Sequence, residues 1–454
     1  MTMIILARIL SPKDFGLIGM LTVFITLSQI LINGGFNEAL IQKKTTDNED
    51  YSSIFYINLV ISLLLYLILF FAAPLIAEFY HQPQLILLTR VLSLVFVFNS
   101  VAFVPRARIT KELKFKILTI IQVPATVISA IIAIAMALLG FGVWSIVALQ
   151  VVMRLVYAIH IWIYSKWVPL FSFNFKKVKS LFAFGGRLMF SDVLDGIYSN
   201  IYLIIIGKFF HVNILGYYQN ARSLVFTPVN TFADVVKGVT FPAFSSIQED
   251  NTRLKKGYKM SIQQLLFWTC FPMVLAGVLA VPLFRFILTD KWLPAVPFFR
   301  LICVSGIIMP LNTFNLNIVN VKGRSDLYLK LNIIKKILIT IGIIATLPFG
   351  IWPLVTFQAF FSIVQYFINS YYSGKFIDYS INEQLKDVVP ILCLSIVIGL
   401  VVFLLDWMIM GFPDVLRLLI GFGFGGTLYL LLAKKLNFEA YMDSRNILKF
   451  KNKA

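Results

Sequence analysis

Charge is scarce in this chain of 454 residues: Asp, Glu, Lys and Arg together make up 13%, against 59% hydrophobic residues. A water-soluble domain carries about 25% charged residues, so most of this apolar surface must face something other than water. Cysteine is scarcer still. Cys270, Cys303 and Cys393 each sit inside an apolar run, which excludes a disulfide framework and a thiolate metal site and reads as buried free thiols. His81, His160 and His211 are too scattered to form a metal centre. The glycines of GFGFGG, from Gly421 to Gly426, lack a P-loop lysine, so no nucleotide cofactor is implied. Acids are outnumbered by bases, 21 to 40, for a net charge of +19. The bases fall in short clusters between apolar runs, where they set membrane orientation; no nucleic-acid partner follows from them.

What remains is a succession of long apolar runs. Hydrocarbon offers no water to satisfy backbone groups, and a spanning helix needs about 20 apolar residues, so these runs read as helices. Spans are expected near 1–10, 16–40, 53–74, 85–104, 117–139, 142–164, 180–207, 214–241, 259–281, 295–320, 331–348, 350–372, 388–406 and 414–433. The fold class is therefore all-α and polytopic, with about fourteen transmembrane helices, the first reading as the second half of a span. Basic residues alternate with them. One side holds Arg106, Arg108, Lys111, Lys114 and Lys116, then Lys166, Lys176, Lys177 and Lys179, and a basic tail at 434–454; the other holds only Lys13, Lys208, Arg285 and Lys291. The positive-inside rule places the first side, and the C-terminus, in the cytoplasm.

The chain also resembles itself at a spacing of 200 to 210 residues. GVWSIVALQ from Gly142 recurs as GIWPLVTFQ from Gly350, and Arg8 with Gly16 parallels Lys208 with Gly216. The unit holds six helices, so two like-oriented lobes are expected at 1–164 and 180–372, with two extra helices over 388–433. Transporters place their substrate path at such a repeat interface.

Polar residues then mark faces inside the membrane. The second span carries Thr22, Thr26, Gln29, Asn33 and Asn37 at helical spacing; the eighth carries Gln219, Arg222, Ser223, Thr227, Asn230, Asp234 and Lys237. A shift of 201 superposes Thr22 on Ser223, Thr26 on Thr227, Gln29 on Asn230 and Asn33 on Asp234. The seventh span adds Arg187, Ser191, Asp192, Asp195 and Ser199, and the tenth Asn312, Thr313, Asn315, Asn317 and Asn320. Ionisable groups at membrane depth face a wet interior or pair with one another. Isolated pairs such as Arg187 with Asp195, or Asp234 with Lys237, could merely lock helices together; continuous matched stripes point to one shared central cavity. Pro228 and Pro310 remove backbone hydrogen bonds in mid-span and should bend their helices.

The motifs ARILSPKDFGLIGM, GGFNEALIQKK, GRLMFSDVLDGIYSNIYLIIIGKFF and LGYYQNAR resemble the Wzx-type polysaccharide and lipopolysaccharide flippases of the multidrug/oligosaccharidyl-lipid/polysaccharide (MOP) exporter superfamily. The resemblance implies two six-helix lobes in a V like that of MATE transporters, and flipping of an undecaprenyl-pyrophosphate-linked oligosaccharide across the bacterial inner membrane for O-antigen, capsule or exopolysaccharide assembly. It implies an ion gradient of H+ or Na+ and no cofactor, with membrane lipids and a polysaccharide polymerase and export complex as partners. Carried onto this chain, Arg187, Arg222 and Arg8 become candidates for the pyrophosphate, with Lys237 in the same stripe. Asp195 and Asp234 become candidates for the coupling ion, and Gln29, Asn33, Asn230 and Asn312 for sugar hydroxyls. Two rivals differ in chemistry. A MATE-type ion-coupled drug or metabolite antiporter would favour acids and aromatics over Arg187, Arg222 and Lys237; a membrane-embedded polymerase or ligase, being an enzyme, would display a large outside loop, and every outside loop here is short.

Overall fold

The computed structural model describes residues 2–34, 40, 46–175, 178, 189 and 192–444. In chain order its α-helices are α1 (Thr2–Ile9), α2 (Pro12–Asn33), α3 (Asn48–Tyr80), α4 (Leu85–Leu92), α5 (Leu94–Lys111), α6 (Phe115–Leu138), α7 (Trp144–Ser165), α8 (Ile201–Phe209) and α9 (Val212–Ser246). They continue as α10 (Asn251–Val278), α11 (Ala280–Leu288), α12 (Val296–Val321), α13 (Ser325–Thr346), α14 (Ile351–Phe376), α15 (Ile381–Met408) and α16 (Asp414–Lys435). Residues 192–199 are also helical, and no strand occurs among the described residues.

Eleven of these spans, counting α4 with α5 as one, are long and apolar enough to cross a membrane. The rest of the expected fourteen are the eight-residue α1, the seventh span, part of which lies outside the described residues, and α9, whose charges keep its hydropathy low. The protein is a multi-pass, all-α membrane protein. Its outward surface agrees: along α3, Leu64, Ile68, Phe71 and Leu75 are 53, 59, 72 and 67% exposed, an apolar stripe at helical spacing suited to acyl chains.

Helix ends lie further out than hydropathy alone places them, because a helix continues into water until something caps it. Asp250 accepts from Arg253 N and starts α10 eight residues before the apolar run; Ser380 does the same for α15 through Glu383 N. At α2, Ser11 and Asp14 form a reciprocal capping box with Pro12 in the first turn, and Gly34 closes the helix at φ 52°. Glycine tolerates that left-handed geometry without a Cβ clash.

Contacts divide the chain into two compact units, Met1–Gln219 and Asn220–Ala454. In the first, α3 packs on α5, α5 on α7 and α7 on α6, around clusters that include Ile54, Phe55 and Trp167, and Ile121, Tyr157 and Ile161. In the second, α10, α12, α14 and α15 enclose a continuous core from Phe244 to Ala440. Cys270 and Cys303 are buried as expected, but Cys393 is exposed. Hydropathy shows that a residue lies in a span, not which side of the helix it occupies.

Candidate functional site

The first unit positions one polar face. Thr22 and Thr26 donate back to Ile18 O and Thr22 O at 2.9 and 2.8 Å, so their hydroxyls are satisfied within α2. Gln29 is half-buried and Asn33 exposed, and among the described residues these two extend the polar face beyond the threonines. The helical segment 192–199 lies directly against them. A Cβ on Gly196 would sit 2.7 Å from Ile30 Cδ1 and 3.7 Å from Thr26 Cγ2, so α2 and the turn bearing half-buried Asp195 are brought together. Arg8 is exposed at the end of α1. Arg187 lies outside the described residues.

The second unit positions the other face, on α9. Val225, Val229 and Ala233 are 0, 2 and 3% exposed. Val225 and Val229 seat against Gly306 of α12, where an added Cβ would meet Val225 Cγ1 at 2.6 Å; a small residue admits such an approach where apolar burial gives no driving force against lipid. The opposite side presents Ser223, Thr227, Asn230 and Asp234, all exposed; Arg222, at the edge of this stripe, is half-buried. The Arg222 guanidinium stands 5.8 Å from the Phe226 ring centroid, a cation–π contact that restricts its swing. Lys237 belongs to the same helix; its side chain is not among those described. An arginine or aspartate in hydrocarbon costs about 3 kcal/mol, so a face carrying both charges belongs in water or against a polar ligand.

Asn312 does not join this face. It is 9% exposed, donates to Ser362 O at 3.1 Å and accepts from Asn369 Nδ2 at 2.9 Å. Asn369 in turn accepts from buried Lys335 Nζ at 3.3 Å. One turn on, Asn315 Oδ1 accepts from Tyr258 OH at 2.6 Å, while its amide donates to Ser370 Oγ and to Leu311 O, both at 3.1 Å. These asparagines tie α10, α12, α13 and α14 into one network. Counting polar residues in a span cannot separate such a buried network from a cavity lining. Asn315→Ala is expected to lower stability by about 1–3 kcal/mol, the penalty for stranding buried partners, read as an earlier thermal transition in detergent.

Sequence reading passed over Arg154, a lone charge in the run VVMRLVYAI. It sits mid-way along α7, half-buried. An isolated charge at membrane depth was the available signal.

Against this geometry, the sequence profile of the family described as "Polysaccharide biosynthesis protein" matches residues 5–297. The chain belongs to that family. The teichuronic acid biosynthesis protein TuaB of Bacillus subtilis is 26% identical over 83% of this chain and 78% of its own length. The succinoglycan biosynthesis transport protein ExoT of Rhizobium meliloti is 28% identical over 69% of the chain, which spans 64% of ExoT. The lipopolysaccharide biosynthesis protein WzxC of Escherichia coli is 26% identical, with coverages of 74 and 69%. Among solved structures, the lipid II flippase MurJ in an inward closed conformation aligns with a TM-score of 0.75 at 17% identity, covering 96% of this chain and 97% of MurJ. An inward-facing MATE family transporter of the MOP superfamily aligns at 0.65. The MOP fold inferred from the motifs is thus the fold observed, and this polysaccharide biosynthesis protein carries its polar stripe on a helix of that fold.

Proposed function

We propose that this family member flips an undecaprenyl-pyrophosphate-linked oligosaccharide across the bacterial inner membrane, by alternating access of two six-helix lobes and without covalent chemistry. The observation that carries the reading is α9: a helix in a transporter-type fold that buries Val225 and Val229 yet leaves Asn230 and Asp234 exposed, with half-buried Arg222 two turns or more before them on the same helix. Arg222, with Arg187 and Arg8, supplies cationic fork geometry for the pyrophosphate. Lys237 adds charge, and Gln29, Asn33 and Asn230 offer donors and acceptors to sugar hydroxyls. Asp195 and Asp234 take the coupling proton or sodium ion. Cargo with a basic partner set is anionic, which favours a lipid-linked sugar over a cationic drug. Export then delivers it to a polysaccharide polymerase on the far side, and the basic loops hold the C-terminus in the cytoplasm.

The test is genetic. Deleting the gene should make lipid-linked oligosaccharide build up on the inner leaflet. Complementation with Arg222→Ala should lower surface polysaccharide at least about tenfold, equivalent to about 1.4 kcal/mol, with protein still present in the membrane, whereas Arg222→Lys should retain part of the activity. Normal polysaccharide from the alanine variant removes Arg222 from the cargo site, and absence of any lipid-linked build-up removes the flippase reading altogether.

A further inference from the structure

Where α7 ends, the chain does something a simple span connector has no need to do. Lys166 turns into the left-handed region at φ 47°, and Trp167 then buries itself against Phe55 and Trp162, ring centroids 5.7 and 5.9 Å away. The next residues run in non-helical conformation along the first turns of α3, tied down by side chains of that helix. Leu170 N donates to Ser52 Oγ at 2.8 Å, Asn174 N to Ser53 Oγ at 3.0 Å, and Ser172 Oγ to Glu49 at 2.9 Å. Ser172 and Asn174 are therefore turned inward. The alternate positions, Phe171, Phe173 and Phe175, are 104, 50 and 65% exposed, three aromatics on one side of a tethered strap.

A second apolar point stands at the same end of this unit. The turn from α5 to α6 holds Leu113 at φ 56°, a strained conformation for a non-glycine residue, and leaves Leu113 and Phe115 73 and 55% exposed. Arg108 of α5 lies 5.9 Å from the Trp167 ring, which fixes both features at one end of the spans. Around them Arg106, Lys114, Lys116 and Lys166 are all exposed; Lys114 pairs with Glu112 at 2.6 Å, and with Arg108 and Lys111 the described bases at this end still outnumber the acids Asp47, Glu49, Asp50 and Glu112.

We propose that the strap 168–175 and the Leu113 turn form a docking surface for the anionic phospholipid headgroups of the adjoining leaflet, with Phe171, Phe173 and Phe175 seated in its outer acyl region. The place is right, because both features lie where apolar spans end and the bilayer interface begins. The charge is right, because basic groups beside a membrane are drawn to anionic lipid within a Debye length. The backbone is prepared too: Ser52 and Ser53 take strap amides that would otherwise be stranded in a water-poor layer. Rings without a hydroxyl suit the acyl side of the boundary better than the headgroup plane. Such a grip would hold the first unit in register with the membrane whatever cargo the protein carries.

The full-length protein, with Cys393→Ser to remove the exposed thiol, is spin-labelled in turn through Phe171→Cys, Phe173→Cys, Phe175→Cys and Ser172→Cys, then reconstituted into phosphatidylcholine vesicles with or without phosphatidylglycerol. Labels at 171, 173 and 175 should collide several-fold more often with oxygen than with a water-soluble nickel chelate, and the label at 172 should be shielded from both. Phosphatidylglycerol should deepen the three labels, and the combined change Arg106→Gln, Lys116→Gln and Lys166→Gln should abolish that deepening. Nickel-accessible labels would mean a water-facing strap, and labels shielded from both reagents a strap covered by protein; either overturns the proposal. Equal depth in the two lipid mixtures overturns the anionic component.

Discussion

Gly216→Ala is expected to strip most of the folded protein from the membrane. A Cβ there would lie 1.9 Å from Pro12 O and 2.7 Å from the Pro12 carbonyl carbon, and the reciprocal Cβ on Gly16 would lie 2.1 Å from Val212 O. The N-terminal turns of α2 and α9 thus cross with backbone against backbone, each contributing the glycine that lets the other approach. Overpacking usually costs about 1–3 kcal/mol when side chains can yield. Here the obstacles are peptide carbonyls within helices, so about 3 kcal/mol or more is expected for either alanine, a large part of a typical stability. Gly238 is the control, with nothing within 4 Å of its added Cβ; Gly238→Ala should be neutral or stabilise by up to about 1 kcal/mol through helix propensity. Membrane abundance by immunoblot and thermal unfolding in detergent read the series. If Gly216→Ala accumulates and melts like the parent protein, the crossing is looser than these distances require.

The second large effect belongs to the α15–α16 hairpin. Arg417 Nε and Nη2 donate to the two carboxylate oxygens of Asp406 at 2.9 and 2.8 Å, and Nη1 reaches Asp414 at 3.2 Å. The side chains of Arg417 and Asp406 are only 6 and 9% exposed. A buried fork-to-fork pair is strongly coupled, so removing one partner strands the other charge: Asp406→Leu or Arg417→Met should cost about 3–5 kcal/mol. The double change Asp406→Leu with Arg417→Met removes both charges and should restore most of that loss, because desolvating the pair offsets much of its attraction. A double-mutant cycle on detergent unfolding decides the matter. Additive single and double effects would show that the two groups do not depend on each other.

The glycine crossing also shows how sequence and structure divided the work. The repeat offset pairs Gly16 with Gly216 on paper; only the folded chain places one against the other's helix. Asn312 and Asn230 look alike in sequence, each an amide in an apolar run. They part because Asn312 is bonded into the network of α12 with α14, whereas Asn230 lies on the side of α9 turned away from buried Val225 and Val229. Cys393 parts from Cys270 and Cys303 by the side of its helix that it occupies. Arg417 and Asp406, eleven positions apart across a hairpin, read as two charges near a loop until the turn brings them face to face.

Membrane class, helical content, the order and approximate extent of the spans, and the polar stripe that holds Asn230 and Asp234 followed from the chain alone. Hydrocarbon imposes length and apolarity on every span, and helical periodicity is a local property. Tertiary structure decided which polar residues are buried in hydrogen bonds and which stay open, where helices stop, and how the Phe171 strap is tied to α3. Those outcomes depend on contacts between residues far apart in sequence, and spacing along one helix carries no information about what packs against it.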